Sequence, residues 1–550
     1  MMNIEGIRGA SESVFLHPGD SGRINIYIGS PSEDSRAAAL LSVFQNAIDR
    51  SGLRAKVIRT GSFGCYDLEP IVVVDPPDLS TILYNNMTPD AAKALIQDLL
   101  VKRIPRKTGA LCCLEDKGLE GIPHISEIPL FSLQRRITLR NCGWIDPENI
   151  HHYILHKRGY KGLSQALQME RRELLHVRVE SAIRGRSAAC DSTIDKWRLV
   201  GESEEVDKFL ICKAIDAGRK AHTARLLTEG DPHSILEGML ISAYAIDASH
   251  CLIYVRENTE SARRLKRALE QMRRYGLVGA NILDSVFSAE IEIKEISASY
   301  VSGYETELFR CVEERQPLPH VYPTYPAVDQ FAGKPAVITC PEAMSNLSAF
   351  LPDDFGKDKG SKVVTLSGNV THNYTVEVAF GTTIRELVNS FGGGTSNGKA
   401  IKTIQVGGPA GRFIAPDSFD TRLDWENAPD SISNLDSGTI EVFDADSSIV
   451  EAVRDIMFCA QTQSCGKCVF CREGCLQMLG MLEDLCENKG NPQDLDLMTK
   501  LGNDMKTACL CAFGRTVPDA VLSSIRLFRV EYEERIKGST LSGKSSSRKL

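Results

Sequence analysis

Hydrophobic and polar positions begin to alternate regularly at Arg23. Residues 24–28 have the two-residue period of a strand, and residues 34–49 have helical periodicity closed by Ser51-Gly52. Residues 55–59, 71–74 and 81–84 read as further strands, and residues 89–103 as an amphipathic helix capped by Thr88. This order of strand, helix, strands and helix predicts a small thioredoxin-like domain at residues 21–105. The Gly- and Ser-rich residues 1–20 predict a flexible N-terminus, and residues 106–150, with the pair Cys112-Cys113, a linker.

Residues 151–355 change register. Strands at 209–213, 251–256 and 291–296 alternate with helices at 235–246 and 259–275, the order of parallel βαβ units. Residues 356–445 read as strands with one short capped helix at 382–390, ended by Gly392-Gly393-Gly394, which is the pattern of a β-grasp, ubiquitin-like module. Residues 446–537 are helical throughout, and residues 538–550, with Ser545-Ser546-Ser547, form a polar tail with no apolar face to bury. The fold class is therefore α/β multidomain, with a C-terminal helical bundle.

Composition narrows the function. The 550 residues are too many for a single core, and 42% are apolar, ordinary for a globular chain. A net charge of −8 argues against a general nucleic-acid binder. The most apolar stretch, residues 238–255, is interrupted by Asp247 and His250, so no membrane span is expected. The N-terminus lacks the pattern of a signal peptide, which points to the cytoplasm. The basic run Arg263, Arg264, Lys266, Arg267, Arg273 and Arg274 lies within one helix and reads as a solvated face. Seventeen cysteines, odd in number and scattered, do not make a secreted disulfide scaffold, so any that cluster are candidate ligands.

One cluster stands out. In Ser464-Cys465-Gly466-Lys467-Cys468-Val469-Phe470-Cys471-Arg472, the Cys-x2-Cys-x2-Cys spacing sets three thiolates around one side of a cubane iron–sulfur cluster. The fourth ligand must come from elsewhere, and Cys511 in Cys509-Leu510-Cys511-Ala512-Phe513-Gly514 is the candidate, with Cys509 as its substitute. Lys467 and Arg472 place positive charge beside the thiolates. A structural zinc site is the alternative chemistry for these cysteines.

These residues, with Glu229-Gly230-Asp231-Pro232-His233 and Glu237-Gly238-Met239, resemble the NADH-binding flavoprotein subunits of respiratory complex I, NAD-linked hydrogenases and formate dehydrogenases. The resemblance implies a Rossmann-like flavoprotein domain at 151–355, one 4Fe-4S cluster on Cys465, Cys468, Cys471 and Cys511, and other redox subunits as partners. It also implies an FMN pocket, whose retained positions here are Arg184, Gly185, Arg186, Lys196, Gly303, Glu305 and Thr306.

That pocket departs from the family. Four glycines of its first loop are Ser187, Ala188, Cys190 and Ile194, and Asp191 stands where an aromatic is expected. A second segment reads Lys213-Ala214-Ile215-Asp216, a third has Tyr304 in place of a paired glutamate, and an Asn-Asn pair has become Thr339-Cys340. A Cβ at a position needing positive φ or close ligand approach costs on the order of 1 kcal/mol and occupies ligand space. The departures imply a chain that binds neither FMN in the family manner nor NAD(H) for oxidation, and that relays electrons through its cluster. Lys213, Arg219 and Lys220 would serve phosphates only in a remodelled pocket, which is the premise of an active diaphorase. In the N-terminal domain, the two-iron ferredoxin motif of relatives has Ser62 and Tyr66 at thiolate positions, leaving Cys65 alone. A redox-silent zinc scaffold is the third reading.

Overall fold

The structure is a computed structural model. It describes residues 4–15, 23–52, 54–77, 79–102, 104, 106–114, 119–156, 159–183, 186, 190–216, 218, 220–297, 331, 333–349, 360–424 and 438–546. Three sheets and a helical end follow one another along the chain.

The chain opens with α1 (Ile4–Phe15), which corrects the expectation of a flexible residue 1–20 segment. Ile7 is fully buried in one core with Ile150, Tyr153 and Ile154. Ser11 Oγ bonds His151 Nδ1 at 3.0 Å. Glycines and serines in a short stretch disguise a helix whose Ile4 and Ile7 share one face.

The first sheet contains β1 (Ile24–Gly29), β2 (Ala55–Thr60), β3 (Ile71–Asp75), β4 (Ile82–Tyr84) and β5 (Ala110–Cys113), in the order β2-β1-β3-β4-β5. β1 and β2 are parallel and the remaining pairs antiparallel. Between β1 and β2 runs α2 (Ser35–Ser51), started by Asp34, which accepts from Arg36 N at 2.9 Å, and ended by Gly52 at φ +63°. Ala37, Leu40, Phe44 and Ile48 line its buried face, against Ile26, Ile28, Val72 and Val74. α3 (Pro89–Leu95) starts on the Thr88 cap and continues as a π-helix over Ile96–Val101. β5 extends the sheet past residue 105, where the sequence pattern ends it; its Cys112 pairs with Leu83.

The second sheet is fully parallel: β6 (Phe209–Ala214), β7 (His250–Arg256), β8 (Glu290–Ile296) and β9 (Ala336–Thr339), in the order β8-β7-β6-β9. Parallel strands need crossovers, here supplied by helices. α4 (Cys190–Glu202) precedes β6; α5 (Thr223–Gly230) and α6 (Pro232–Ile246) link β6 to β7; α7 (Glu260–Arg274) links β7 to β8. Apart from the half-buried Tyr244, every residue of α6 is buried. A Cβ on Gly238 would lie 2.0 Å from Met344 O, so only glycine lets the helix Pro341–Ala349 pack backbone to backbone on α6. Glu237 is buried and accepts from Tyr153 Oη at 2.5 Å, Tyr160 N at 2.8 Å and Leu163 N at 3.0 Å. On α7, Arg264 departs from the solvated-face expectation. It is 3% exposed, donates to Glu229 O and pairs with Glu260 at 2.8 Å.

The third sheet contains β10 (Ser361–Gly368), β11 (Thr375–Ala379), β12 (Ile401–Val406), β13 (Arg412–Ile414) and β14 (Thr439–Asp444), in the order β11-β10-β14-β12-β13. Across it packs α8 (Ile384–Ser390), started by a reciprocal Thr383–Glu386 capping box. Its core continues into the first sheet: Phe63, Ile71, Val73 and Leu83 join Val364, Val376, Leu387 and Val442.

Five helices close the chain: α9 (Ile449–Gln463), α10 (Val469–Cys486), α11 (Asp494–Ala508), α12 (Ala512–Thr516) and α13 (Pro518–Ser546). α13 kinks at Phe528 and stays helical through Ser546, whereas the sequence predicts an unfolded tail from 538. Ile525 before the kink and Tyr532 and Ile536 after it are buried in one core. Among the described residues, no helix is long and apolar enough to cross a membrane.

Candidate metal centre and nucleotide cradle

Two short arms bring the cysteines together. The first leaves α9 at Ser464 and enters α10 at Cys468, which is its N-cap. Gly466 takes φ +74°, and Arg472 Nη1 closes the loop on Gly466 O at 2.7 Å. Cys471 and Cys475 follow one helical turn apart, on one face. In the second arm, Cys509 ends α11 and Cys511 is the N-cap of α12. Arg515 Nε holds Cys509 O at 2.8 Å.

The arms meet at Gly514. A Cβ there would fall 2.8 Å from both Cβ and Sγ of Cys509 and 3.2 Å from Cys471 Cβ. The Cys471 thiol is hydrogen-bonded with those of Cys475 and Cys509, and Cys509 also contacts Cys468. These bonds, with Ser464 Oγ at 3.5 Å, hold the Cys471 thiol well below its ordinary range and push Cys475 and Cys509 up. Cys471, Cys475, Cys509 and Cys511 are buried in one core, against which the half-buried Cys465 and Cys468 pack. Among the described residues, no three ligating side chains surround a single point. A cubane does not require that, because each thiolate takes a different iron. Of the flanking cations, Arg472 is shared with Glu473 at 3.0 Å, while Lys467 is exposed. The sequence reading offers Cys509 only as a substitute for Cys511 and leaves Cys475 out of the ligand set, yet both touch Cys471; the four-residue step from Cys471 to Cys475 is the signal that marks the latter.

The second candidate site lies at the carboxyl ends of the parallel sheet, where β6 and β9 run side by side, Cys212 opposite Thr339. Open α/β sheets bind ligands at that edge. Arg186 is buried, and its guanidinium donates to Ser361 O at 2.5 Å and Ala182 O at 3.0 Å. It lies 3.7 Å from Glu342 and over the Phe380 ring at 5.6 Å. Cys340 Sγ donates to Arg186 O at 3.3 Å. Asp216 accepts from Ala224 N at 2.7 Å and Arg225 N at 3.2 Å, so its carboxylate sits on the first amides of α5. Burial pushes its pKa up to about 6. Lys220 is paired with Glu441. Ile194 and Lys196 are buried on α4 beside Trp197. Arg184, Gly185, Ser187, Ala188, Arg219, Gly303, Tyr304, Glu305 and Thr306 lie outside the described residues.

In the first sheet, the two positions that carry thiolates in the ferredoxin motif have other partners. Ser62 Oγ donates to Glu69 at 2.7 Å, and Tyr66 Oη bonds Thr375 Oγ1 at 3.1 Å. Phe63 N also donates to Glu69 at 2.7 Å, and burial raises that carboxyl to about 7. A cavity of about 330 Å³ lies beside them, lined by Arg36, Ser62, Tyr66, His222, Arg225 and Glu229 among others.

The chain matches the model of the NADH-ubiquinone oxidoreductase-F iron-sulfur binding region over residues 451–535, and that of the Nuo51 FMN-binding domain over residues 179–344. It is 35% identical over 412 residues to the NADP-reducing hydrogenase subunit HndC of Solidesulfovibrio fructosivorans, covering 73% of this chain and 84% of that one. To the F subunit of the NADH-quinone oxidoreductase of Escherichia coli (strain K12) it is 31% identical over 395 residues, 69% of this chain and 88% of that one. An NAD+-reducing NiFe-hydrogenase structure shares the fold at a TM-score of 0.61 and 21% identity, covering 96% of this chain and 90% of that one. With these relatives and both signature regions in family order, the chain belongs to the family that unites the NADH-quinone oxidoreductase F subunits with the hydrogenase subunit HndC.

Proposed function

We propose that this chain is an iron–sulfur electron-transfer subunit of an NADH dehydrogenase-like, multi-subunit oxidoreductase in the cytoplasm, without FMN or NADH chemistry of its own. Its single 4Fe-4S cluster is held by Cys465, Cys468 and Cys471 from the first arm and Cys511 from the second. The observation that carries this reading is the meeting of the two arms, with thiols of both in contact at Cys471. A cubane supplies one-electron transfer. The chain's own residues bury Cys471 and Cys511, half-bury Cys465 and Cys468, and fix both arms by the Arg472–Gly466 and Arg515–Cys509 bonds. In this reading residues 21–105, extended by β5, are the thioredoxin-like domain, 151–355 the Rossmann-like domain, 356–445 the β-grasp module and 446–537, with the rest of α13, the cluster domain. Other redox subunits are its partners, since a lone cluster is useful only with donors and acceptors close by.

The carboxyl edge of the parallel sheet does not fit FMN held in the family manner. The Asp216 carboxylate occupies the amides of α5, where a helix start would otherwise favour a phosphate. Arg186 is engaged by protein carbonyls, and Ile194 is buried where the family carries glycine. Anaerobic purification with flavin and iron quantified tests the proposal. About four irons per chain and no flavin are expected; stoichiometric flavin overturns the second half of the reading.

A second reading, an active NADH:acceptor oxidoreductase with a remodelled pocket, is favoured by the match to the FMN-binding domain. It requires NADH-dependent dye reduction by the purified chain, which the first reading predicts to be absent.

A further inference from the structure

We propose that Cys509 is a second competent ligand for the fourth corner of the cluster, so that either Cys509 or Cys511 can close the site. The inference rests on the reading that this chain holds a four-iron cluster, and it adds a residue to the ligand set.

The second arm offers two thiols where one would do. Cys509 and Cys511 are two residues apart, and both have extended backbone, at φ −66°, ψ 146° and φ −125°, ψ 169°. Both side chains are buried in the core that contains Cys471, at 1% and 8% exposure. The Cys509 thiol is in contact with Cys468 and Cys471. Gly514 makes that contact sterically open, because any Cβ there would strike Cys509 and Cys471 together. Arg515 Nε, bonded to Cys509 O at 2.8 Å, keeps the residue at the arm junction.

The exchange is balanced. One iron–sulfur bond to Cys511 breaks, one to Cys509 forms, and the thiol proton of Cys509 passes to Cys511. Net charge and oxidation state are unchanged. The two sulfurs leave the arm two residues apart, and the surroundings of the ligand sulfurs set a cluster's potential. The two ligand states are therefore two potentials of one cluster.

The test uses the full chain, purified anaerobically, with iron counted and electron paramagnetic resonance recorded. Cys511→Ser is the first variant, because serine is a favoured N-cap and preserves the start of α12. It is expected to keep the full iron content of the unaltered chain, with a shifted midpoint potential. Cys509→Ala is expected to keep its iron as well. Cys509→Ala combined with Cys511→Ser is expected to lose the fourth iron and show a three-iron signal. Loss of the fourth iron in Cys511→Ser alone, at an unchanged melting temperature, overturns the inference. So does full iron in the double variant, since the serine would then be the ligand. Absence of iron from the unaltered chain overturns the parent reading instead, and this one with it.

Discussion

Glu237 is a carboxylate that serves as a structural acceptor. Buried in α6, it gathers the Tyr153 hydroxyl and the amides of Tyr160 and Leu163. Glu237→Leu would leave three buried donors unmet, each worth about 1–3 kcal/mol. A loss of at least about 3 kcal/mol is expected, read as a fall in melting temperature with no change in iron content. Asp216 gives a pH signature of a different kind. Burial raises its pKa above the ordinary aspartate value to about 6, against the bonds from Ala224 and Arg225 that lower it. The folded state therefore holds the proton more tightly than the unfolded one. The stability this contributes is complete below about pH 4 and is lost as pH rises through about 6. Asp216→Asn removes the titration, so the melting temperature of the unaltered chain, relative to that variant, is expected to fall across this window. A difference that stays flat with pH would show that Asp216 is not buried as described. The motif Glu229-Gly230-Asp231-Pro232-His233 is explained at the same scale, as packing and capping. Asp231 receives Asn141 Nδ2 at 2.7 Å, and His233 lies between Tyr160 and Gln271.

At the scale of elements, the two cysteine arms behave as one device hinged on Gly514. Gly514→Ala would force Cys509 and Cys471 apart, since an added Cβ at 2.8 Å from a neighbouring sulfur cannot be accommodated without a shift. The expected result is a drop in iron per chain, with a cost of about 1–3 kcal/mol in the helical end. Iron analysis and a melt, run together, separate that outcome from general unfolding. Elements themselves were largely legible in the sequence, because their signals are local. Thr88, Thr383 and Ser448 cap helices through their own side chains, and the alternation of β1 needs only six residues. What escaped was set by distant partners. α1 is visible only once Ile150 and Tyr153 lie beneath Ile7, and Arg264 is a core residue only because Glu229 O faces it. The contact of Cys509 with Cys471 joins the ends of two helices, which no spacing within either one reveals.

At the scale of the molecule, the three sheets are tied together by the loop from Gly61 to Gly64. Phe63 is fully buried, packs edge-on against Trp144 at 5.1 Å, and fills the space that Gly29 and Gly143 leave open. On either side of it, Thr375 N donates to Gly64 O at 2.8 Å, and Gly61 lies against Gly230, where any Cβ would come within 2.6 Å of the Gly230 backbone. One short segment thus touches all three sheets or their helices, and the first and third sheets share a single apolar core through it. A domain docked only by surface contacts would open independently of its neighbours. Here the seam is core, so the first and third sheets are expected to unfold as one cooperative unit. Phe63→Ala removes an aromatic ring at a cost of about 3–5 kcal/mol. Hydrogen exchange should then show β1, β3, β10 and β11 losing protection together and to a similar extent, with α9 and α10 unaffected. Loss confined to β1 and β3 would mean that the first sheet is an appendage, and that the loop from Gly61 to Gly64 is not the joint of the fold.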